Sequence, residues 1–446
     1  MVNLDDVSGW LEDRLPTLLS EHGVPGAAIA VSAGGEMVDH AAGVLNTGTG
    51  VEATPDSVFQ IGSITKVWTA TLVMKLVDEG KIDLDAPVRR YVPELRLGDE
   101  SAAAAITVRQ LLCHTAGFEG DLFTDTGRGD DCVEKYVATL DGVDQLFAPG
   151  EMFSYNNAGF CVLGRIVEVL RDKPFDTCLR DDLVTPLGLT HVATCADEAI
   201  LHRAAVGHLP SGPAPVWSLA RSNAPAGSAL AMRPRDLLTF AQAHLDGTVL
   251  SPGSGKAMRE RQVSLPPLGL MGTSWGLGWE MYDVPGGPVI GHDGGTIGQA
   301  AFLRVVPAAN VAVALLTNGG DPISLYREIY GYLLPALAGV ELPPFPEPPP
   351  DPGPFDASRY VGTYSCEVVD LTVTQDDDGR VWLETAPKGV LGELSQADRT
   401  ELVRLDDDTL IQREPQHGLH QPHVFLGDDN GRARYIHTGR VIRRAA

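Results

Sequence analysis

Apolar residues recur with helical period over Leu4–Glu21 and again over Ser63–Glu79, the second run closed by Gly80. Further helical stretches fall at 107–113, 132–140, 158–171 and 234–245. Between the first two runs, Ala27–Val31 and Glu36–Ala41 alternate as two strands would and turn at Gly34-Gly35. Three short β-rich runs follow much later, at Pro288–His292, Ala300–Val306 and Val311–Thr317, the last two turning at Pro307–Asn310. Strands thus come from both ends of this stretch and helices from its middle, with no βαβ repeat and no glycine-rich phosphate loop. The pattern predicts an α+β fold, an antiparallel sheet flanked by helices.

The pattern changes at Pro343–Pro354, where eight of twelve residues are proline. Such a run makes neither helix nor central strand and serves as a stiff extended spacer. Beyond it, Tyr360–Tyr364, Leu371–Gln375, Val381–Thr385, Thr400–Arg404, Thr409–Arg413, His423–Leu426, Ala433–His437 and Val441–Arg443 are short, alternating and separated by Gly or Asp turns. Strands of this length and spacing predict a small antiparallel barrel. The expected organisation is a large domain over 1–342, a linker over 343–354 and a barrel domain over 355–446.

A chain of 446 residues at 43% hydrophobic is long enough for one large core and a smaller one. A net charge of −25 argues against nucleic acid or an anionic membrane surface as partner. The six cysteines form no Cys-x-x-Cys pair, and no His-Glu-x-x-His helix occurs. No metal or cofactor is therefore expected, and the thiols read as reduced. The start of the chain lacks a basic segment followed by an apolar run, so a cytoplasmic location is expected.

Gly-Ser-Ile-Thr-Lys at 62–66 carries the first chemical signal. One helical turn separates Ser63 from Lys66, which lets a hydroxyl nucleophile meet an amine base. Of the seven lysines, Lys66 alone stands three places after a serine. The same residues also fit a helix cap and a solvated lysine. Phe-Ser-Tyr-Asn-Asn at 153–157 supplies Tyr155, whose phenol can relay a proton near a cation, and Asn157, which can donate to a substrate carbonyl or hold Lys66. Gly-His-Asp-Gly-Gly at 291–295 ends a predicted strand, and its glycines let backbone N–H groups approach a developing oxyanion. A rival nucleophile, Ser274 in Gly-Thr-Ser-Trp-Gly at 272–276, matches the α/β-hydrolase elbow, but neither a strand before it nor a helix after it is expected.

In that order, Ser63-x-x-Lys66, Tyr155-x-Asn157 and His292-x-Gly294 resemble the motifs of the serine penicillin-binding-protein and class C β-lactamase superfamily. The resemblance extends over most of 1–335, through Leu112–Gly117, Pro225-Ala226-Gly227 and Trp275–Trp279. It implies a β-lactamase/transpeptidase-like domain with Ser63 as nucleophile and with Lys66 and Tyr155 sharing acid/base work. Asn157 and His292 are implied as supporting catalytic residues, and the N–H groups of Ser63 and Gly295 as the oxyanion hole. Asp293 and Gly294 are expected against the substrate, together with Arg128 and Asp130 from the polar loop at 125–131. Penicillin-directed members carry Lys-Thr-Gly as the third motif. His292-Asp293-Gly294 is instead the version of esterase and peptidase branches.

The C-terminal barrel makes the architecture resemble the penicillin-binding-protein-type thioesterases, whose small domain is lipocalin-like. That resemblance implies release of a nonribosomal peptidyl thioester as a macrolactam, with a D-residue at the acyl end and a peptidyl carrier protein as partner. The alternatives are a cytosolic esterase or D-stereospecific peptidase or amidase of the same superfamily, and a non-enzymatic acyl-binding scaffold.

Overall fold

A computed structural model describes residues 3–389, 397–416 and 418–445. Helix α1 (Leu4–Glu21) starts at Asn3, whose side chain accepts the Asp6 N–H while Asp6 reaches back to the Asn3 N–H. It leads into strands β1 (Gly26–Ala33), β2 (Glu36–Asn46) and β3 (Val51–Glu52). Helices α2 (Thr65–Asp78), α3 (Asn157–Arg171) and α4 (Pro234–Leu245) occupy the middle of the chain with several shorter ones. Strands β4 (Val263–Ser264), β5 (Ser274–Trp275), β6 (Glu280–Tyr282), β7 (Val289–Gly295), β8 (Ala300–Val306) and β9 (Val311–Thr317) then complete the sheet, and α5 (Pro322–Ala338) follows.

The sheet is antiparallel, in the order β3-β2-β1-β9-β8-β7-β6-β5-β4. The two ends of the stretch meet where Ala27–Ala33 pairs with Val311–Thr317. Both faces of this seam are covered. Ala28, Ala30, Ala312, Ala314 and Leu316 pack on the side of α2, α3 and α4. Ala27, Ile29, Val31, Val313 and Leu315 pack on the side of α1 and α5. Burial on both faces explains why Val-Ala-Val-Ala-Leu-Leu shows no polar alternation. Helix α2 is buried almost all round its circumference, so it runs through the interior of the molecule and not along its surface.

The Pro343–Pro354 stretch has neither helix nor strand. After it, β10 (Gly362–Ser365), β11 (Val369–Gln375), β12 (Val381–Pro387), β13 (Asp398–Arg404), β14 (Thr409–Gln412), β15 (Pro422–Leu426), β16 (Tyr435–His437) and β17 (Val441–Arg444) form a closed antiparallel barrel. Its apolar core includes Tyr364, Leu383, Leu402, Phe425 and Ile436. The fold is therefore the expected α+β sheet flanked by helices plus a C-terminal barrel. No helix among the described residues is long and apolar enough to cross a membrane.

One expected boundary is corrected. The α-helix does not begin at Ser63: residues Gly62–Ile64 form a 3-10 turn, and the α-helix starts at Thr65. Gly62 takes φ +50°, and strand β7 runs against it closely. That crossing forces the tighter turn. Ser63 makes no capping hydrogen bond, so the capping reading of this residue falls.

Candidate active site

Ser63 is partly exposed on its tight turn, and Lys66, one turn on, is fully buried. The Lys66 ammonium Nζ lies 3.1 Å from Ser63 Oγ and donates to the carbonyl oxygen of Ala226 at 2.6 Å. Burial pushes the Lys66 pKa down to about 7, with Cys161 and Asp121 opposing and Arg440 assisting. A neutral amine is thus accessible near neutral pH. The Pro225-Ala226-Gly227 segment wraps the same turn: Gly227, at φ +114°, brings its Cα against the Gly62 carbonyl.

The end of β7 crosses the nucleophile turn. A Cβ at Gly294 would overlap the Ile61 carbonyl, and one at Gly62 would lie 2.7 Å from the Gly295 nitrogen. This close approach brings the Gly295 nitrogen beside the Ser63 turn, the geometry that an oxyanion site requires. His292, one strand position earlier than Asp293, is buried. Its Nδ1 lies 2.6 Å from the Asp293 carbonyl and so carries the proton, which leaves Nε2 as an unpartnered acceptor. Burial, aided by Lys66, drives its pKa down to about 3, so the ring is neutral.

Tyr155 lies between these groups. Lys66 Nζ is 4.8 Å from its ring centroid, His114 stacks on it at 4.4 Å, and His292 meets it edge-on at 6.1 Å. The His114 Nδ1 also accepts the Asn156 N–H at 2.9 Å, fixing the loop that carries Tyr155. Burial raises the phenol pKa, while Ser63 and Arg440 oppose the rise. The buried hydroxyl has no well-formed hydrogen bond among the described residues.

Several expected placements are changed. Asn157 does not hold Lys66; its amide donates to Asp121 Oδ1 at 2.6 Å, and the Ala226 carbonyl holds Lys66 instead. The carboxylate of Asp293 is engaged by Arg304 at 2.6 and 3.0 Å, so it is not free for substrate. Arg128 and Asp130 do not line the cleft around Ser63. Arg221 holds that loop aside through the Arg128 carbonyl and Asp130, while itself gripping Asp176. Ser274 is fully buried in β5 with no helix after it, which removes the rival nucleophile.

Sequence reasoning allowed the C-terminal domain to wall one side of the cleft, but it named none of the barrel residues that do so. The cleft, of about 380 Å³, is lined by Ser63, Tyr155, His292 and Gly295, but also by Gln421, Thr438 and Arg440. Arg440 sits in the turn between β16 and β17, its guanidinium carbon 4.9 Å from the Tyr155 ring centroid. Its Nε donates to Asp121, which thereby links Asn157 to the barrel. The only sequence signal was the turn itself, Thr438-Gly439-Arg440, between two predicted strands. A potential metal-ligand group among the described residues, Glu21, His22 and Glu328, lies outside the cleft lining.

A family model described as Beta-lactamase matches residues 11–338. The chain is 45% identical over 376 residues to penicillin-binding protein 4 of Amycolatopsis lactamdurans, covering 81% of this chain and 98% of that protein. Among solved structures it is similar to SurE with D-Leu, at 29% identity and a TM-score of 0.79 over 99% of both chains. It is also similar to D-amino acid amidase from Ochrobactrum anthropi SV3 complexed with D-phenylalanine, at 25% identity and a TM-score of 0.62, over 74% of this chain and 99% of that one.

Proposed function

Since this chain belongs to the Beta-lactamase family, whose members are serine hydrolases and acyltransferases, we propose that it takes a peptidyl thioester onto Ser63 and releases it as a macrolactam. The observation that carries the acyl-transfer step is the Lys66 amine, desolvated and 3.1 Å from Ser63 Oγ. In the neutral form Lys66 accepts the hydroxyl proton as Oγ attacks the thioester carbonyl. The developing oxyanion lies toward the N–H groups of Ser63 and Gly295, and its collapse expels the thiolate, which takes the proton from Lys66 and departs as the thiol. An amine of the same peptide then attacks the ester carbonyl, and the proton that the amine gives up passes through Lys66 and Tyr155 to the departing Ser63 Oγ.

The preference for cyclisation and for a D-residue at the acyl end rests on likeness. The similarity to SurE with D-Leu extends over 99% of the chain and so includes the barrel. The barrel walls the cleft with Gln421, Thr438 and Arg440, which limits water at the acyl ester. A peptidyl carrier protein would present the thioester at the cleft mouth.

A second reading, a D-stereospecific amidase, peptidase or esterase, is favoured by the likeness to D-amino acid amidase. A scaffold without catalysis is set aside, because the Ser63–Lys66 pair is assembled in an open cleft. Incubation with a D-terminated peptidyl thioester of N-acetylcysteamine, followed by mass spectrometry, tests the reading. A Ser63-linked acyl adduct and cyclic product are expected. Linear product alone would move the assignment to the second reading, and an adduct that survives in Ser63→Ala would remove Ser63 from the mechanism.

A further inference from the structure

One buried acidic residue in the cleft has no part in the chemistry above. Glu280, in β6, is 3% exposed and lines the cleft that holds Ser63 and His292. Its Oε1 accepts from the Gly272 N–H at 2.6 Å and from the Tyr282 hydroxyl at 2.8 Å. No hydrogen-bond donor of the described residues meets Oε2, and this oxygen is not sealed from the cleft.

The charges around Glu280 do not balance. Arg304, fully buried, is the cation of this cluster; it pairs with Asp293 and donates to Tyr282 at 2.6 Å and Tyr326 at 3.1 Å. Two carboxylates therefore share one guanidinium, and the second carboxylate faces the cleft with one oxygen unpaired. A buried carboxylate in that position is stabilised by any cation that can reach it. Consistent with the deficit, burial and then Asp293 raise the Glu280 pKa, against Arg304. The Lys66 and Arg440 cations do not fill the role. Lys66 is engaged by Ser63 and the Ala226 carbonyl and Arg440 by Asp121, and no ion pair among the described residues joins either of them to Glu280.

We propose that Glu280 is a binding site for a primary ammonium group of the substrate, received through Oε2 in the cleft that also holds Ser63. The proposal rests on the acyl-transfer reading and names a property of its substrate, an amine within reach of the acyl centre. Two sources share that chemistry: the α-amino group of a short acyl donor, and the amine that captures the acyl ester.

The test compares the full-length enzyme with E280Q, which removes charge and keeps shape. In the first arm, D-leucyl and N-acetyl-D-leucyl thioesters of N-acetylcysteamine are compared by kcat/KM. In the second, the N-acetyl donor is used with added glycinamide, and the ratio of aminolysis to hydrolysis is measured. The proposal expects one of the two ratios to fall by roughly tenfold or more in E280Q, and the ratio that falls names the source. If both ratios are unchanged, including through a uniform loss of rate, the proposal is overturned. Fluorophosphonate labelling of Ser63 separates the failures, since absence of label in the unaltered enzyme sinks the acyl-transfer reading itself. Should only E280Q fail to label, inhibition of the unaltered enzyme by butylamine and by butanol decides. Stronger inhibition by the amine supports the site, and equal inhibition overturns it.

Discussion

The backbone N–H of Tyr155 donates to the carbonyl oxygen of Gly439 at 2.9 Å, so a turn of the barrel clamps the central motif of the cleft. The next residue, Arg440, places its guanidinium over the Tyr155 ring and ties Asp121 and Asn157 into the same contact. The barrel is thus part of the cleft wall, and its turn sets the position and electrostatic surroundings of the Tyr155 phenol.

Replacing Arg440 by Met keeps the aliphatic stem but removes the charge. The loss should lower kcat/KM about tenfold, on the order of 1–2 kcal/mol of transition-state stabilisation. Asp121, which is buried, would lose its cation; because Arg440 is 41% exposed, the stability loss should stay near 1 kcal/mol. Kinetics and thermal unfolding of the same variant measure both, and unchanged kinetics would leave Arg440 a purely structural clamp.

The depressed pKa of Lys66, about 7, fixes the sign of two pH effects. With the neutral amine as the proposed base, activity should rise with pH through that value. Lys66→Met should cut kcat/KM by roughly a hundredfold to ten-thousandfold and abolish that limb. For stability, the folded state disfavours the charged lysine, so its burial costs most below about pH 7 and the cost fades as pH climbs toward the unfolded value of 10.5. Lys66→Met should therefore raise the unfolding temperature, most at low pH. A melting curve that shows the reverse would contradict the assignment of a strained, desolvated amine.

Two adjacent glycines should behave oppositely. A Cβ at Gly294 meets the Ile61 carbonyl and lies 3.0 Å from the Ser63 nitrogen, whereas one at Gly295 meets nothing within 4 Å. Gly294→Ala should displace the nucleophile turn, losing roughly a hundredfold or more in turnover and on the order of 1–3 kcal/mol of stability. Gly295→Ala should fold normally, since only its backbone N–H is asked to act. Equal effects of the two substitutions would argue against the close crossing as the source of the oxyanion geometry.

His292 should act as a neutral group. Its pKa of about 3 places no titration of this ring above pH 5, so the rate profile there should carry no His292 limb. His292→Asn removes the unpartnered Nε2 acceptor of a ring that meets Tyr155 edge-on and should cost about 1–3 kcal/mol in kcat/KM. Rates measured from pH 5 to 9 check both statements, and a limb lost in the variant would mean that the ring titrates after all.

Much of this was legible in the chain before any contact was known. The strands at 300–306 and 311–317 and the helix at 4–21 have the bounds that periodicity predicts, and all eight barrel strands overlap the alternating segments. The Ser63–Lys66 pairing followed from helical spacing even though Ser63 proved to sit on a 3-10 turn, because either geometry brings the two side chains to one face. Turn and strand preferences act over a few neighbouring residues, and those neighbours are written in the sequence.

Tertiary structure alone decided who stands beside whom. Asn157 met Asp121 and not Lys66, and Asp293 was claimed by Arg304. The loop at 125–131 was drawn to Arg221, and Arg440 arrived from the far end of the chain. Each of these is a choice among charged or amide partners far apart in sequence. Burial makes that choice, because a charge withdrawn from water must take the nearest complementary group that packing supplies. The order of residues determined the elements and the motif chemistry of this protein; the packing of sheet against helices and barrel against sheet determined the electrostatics of its cleft.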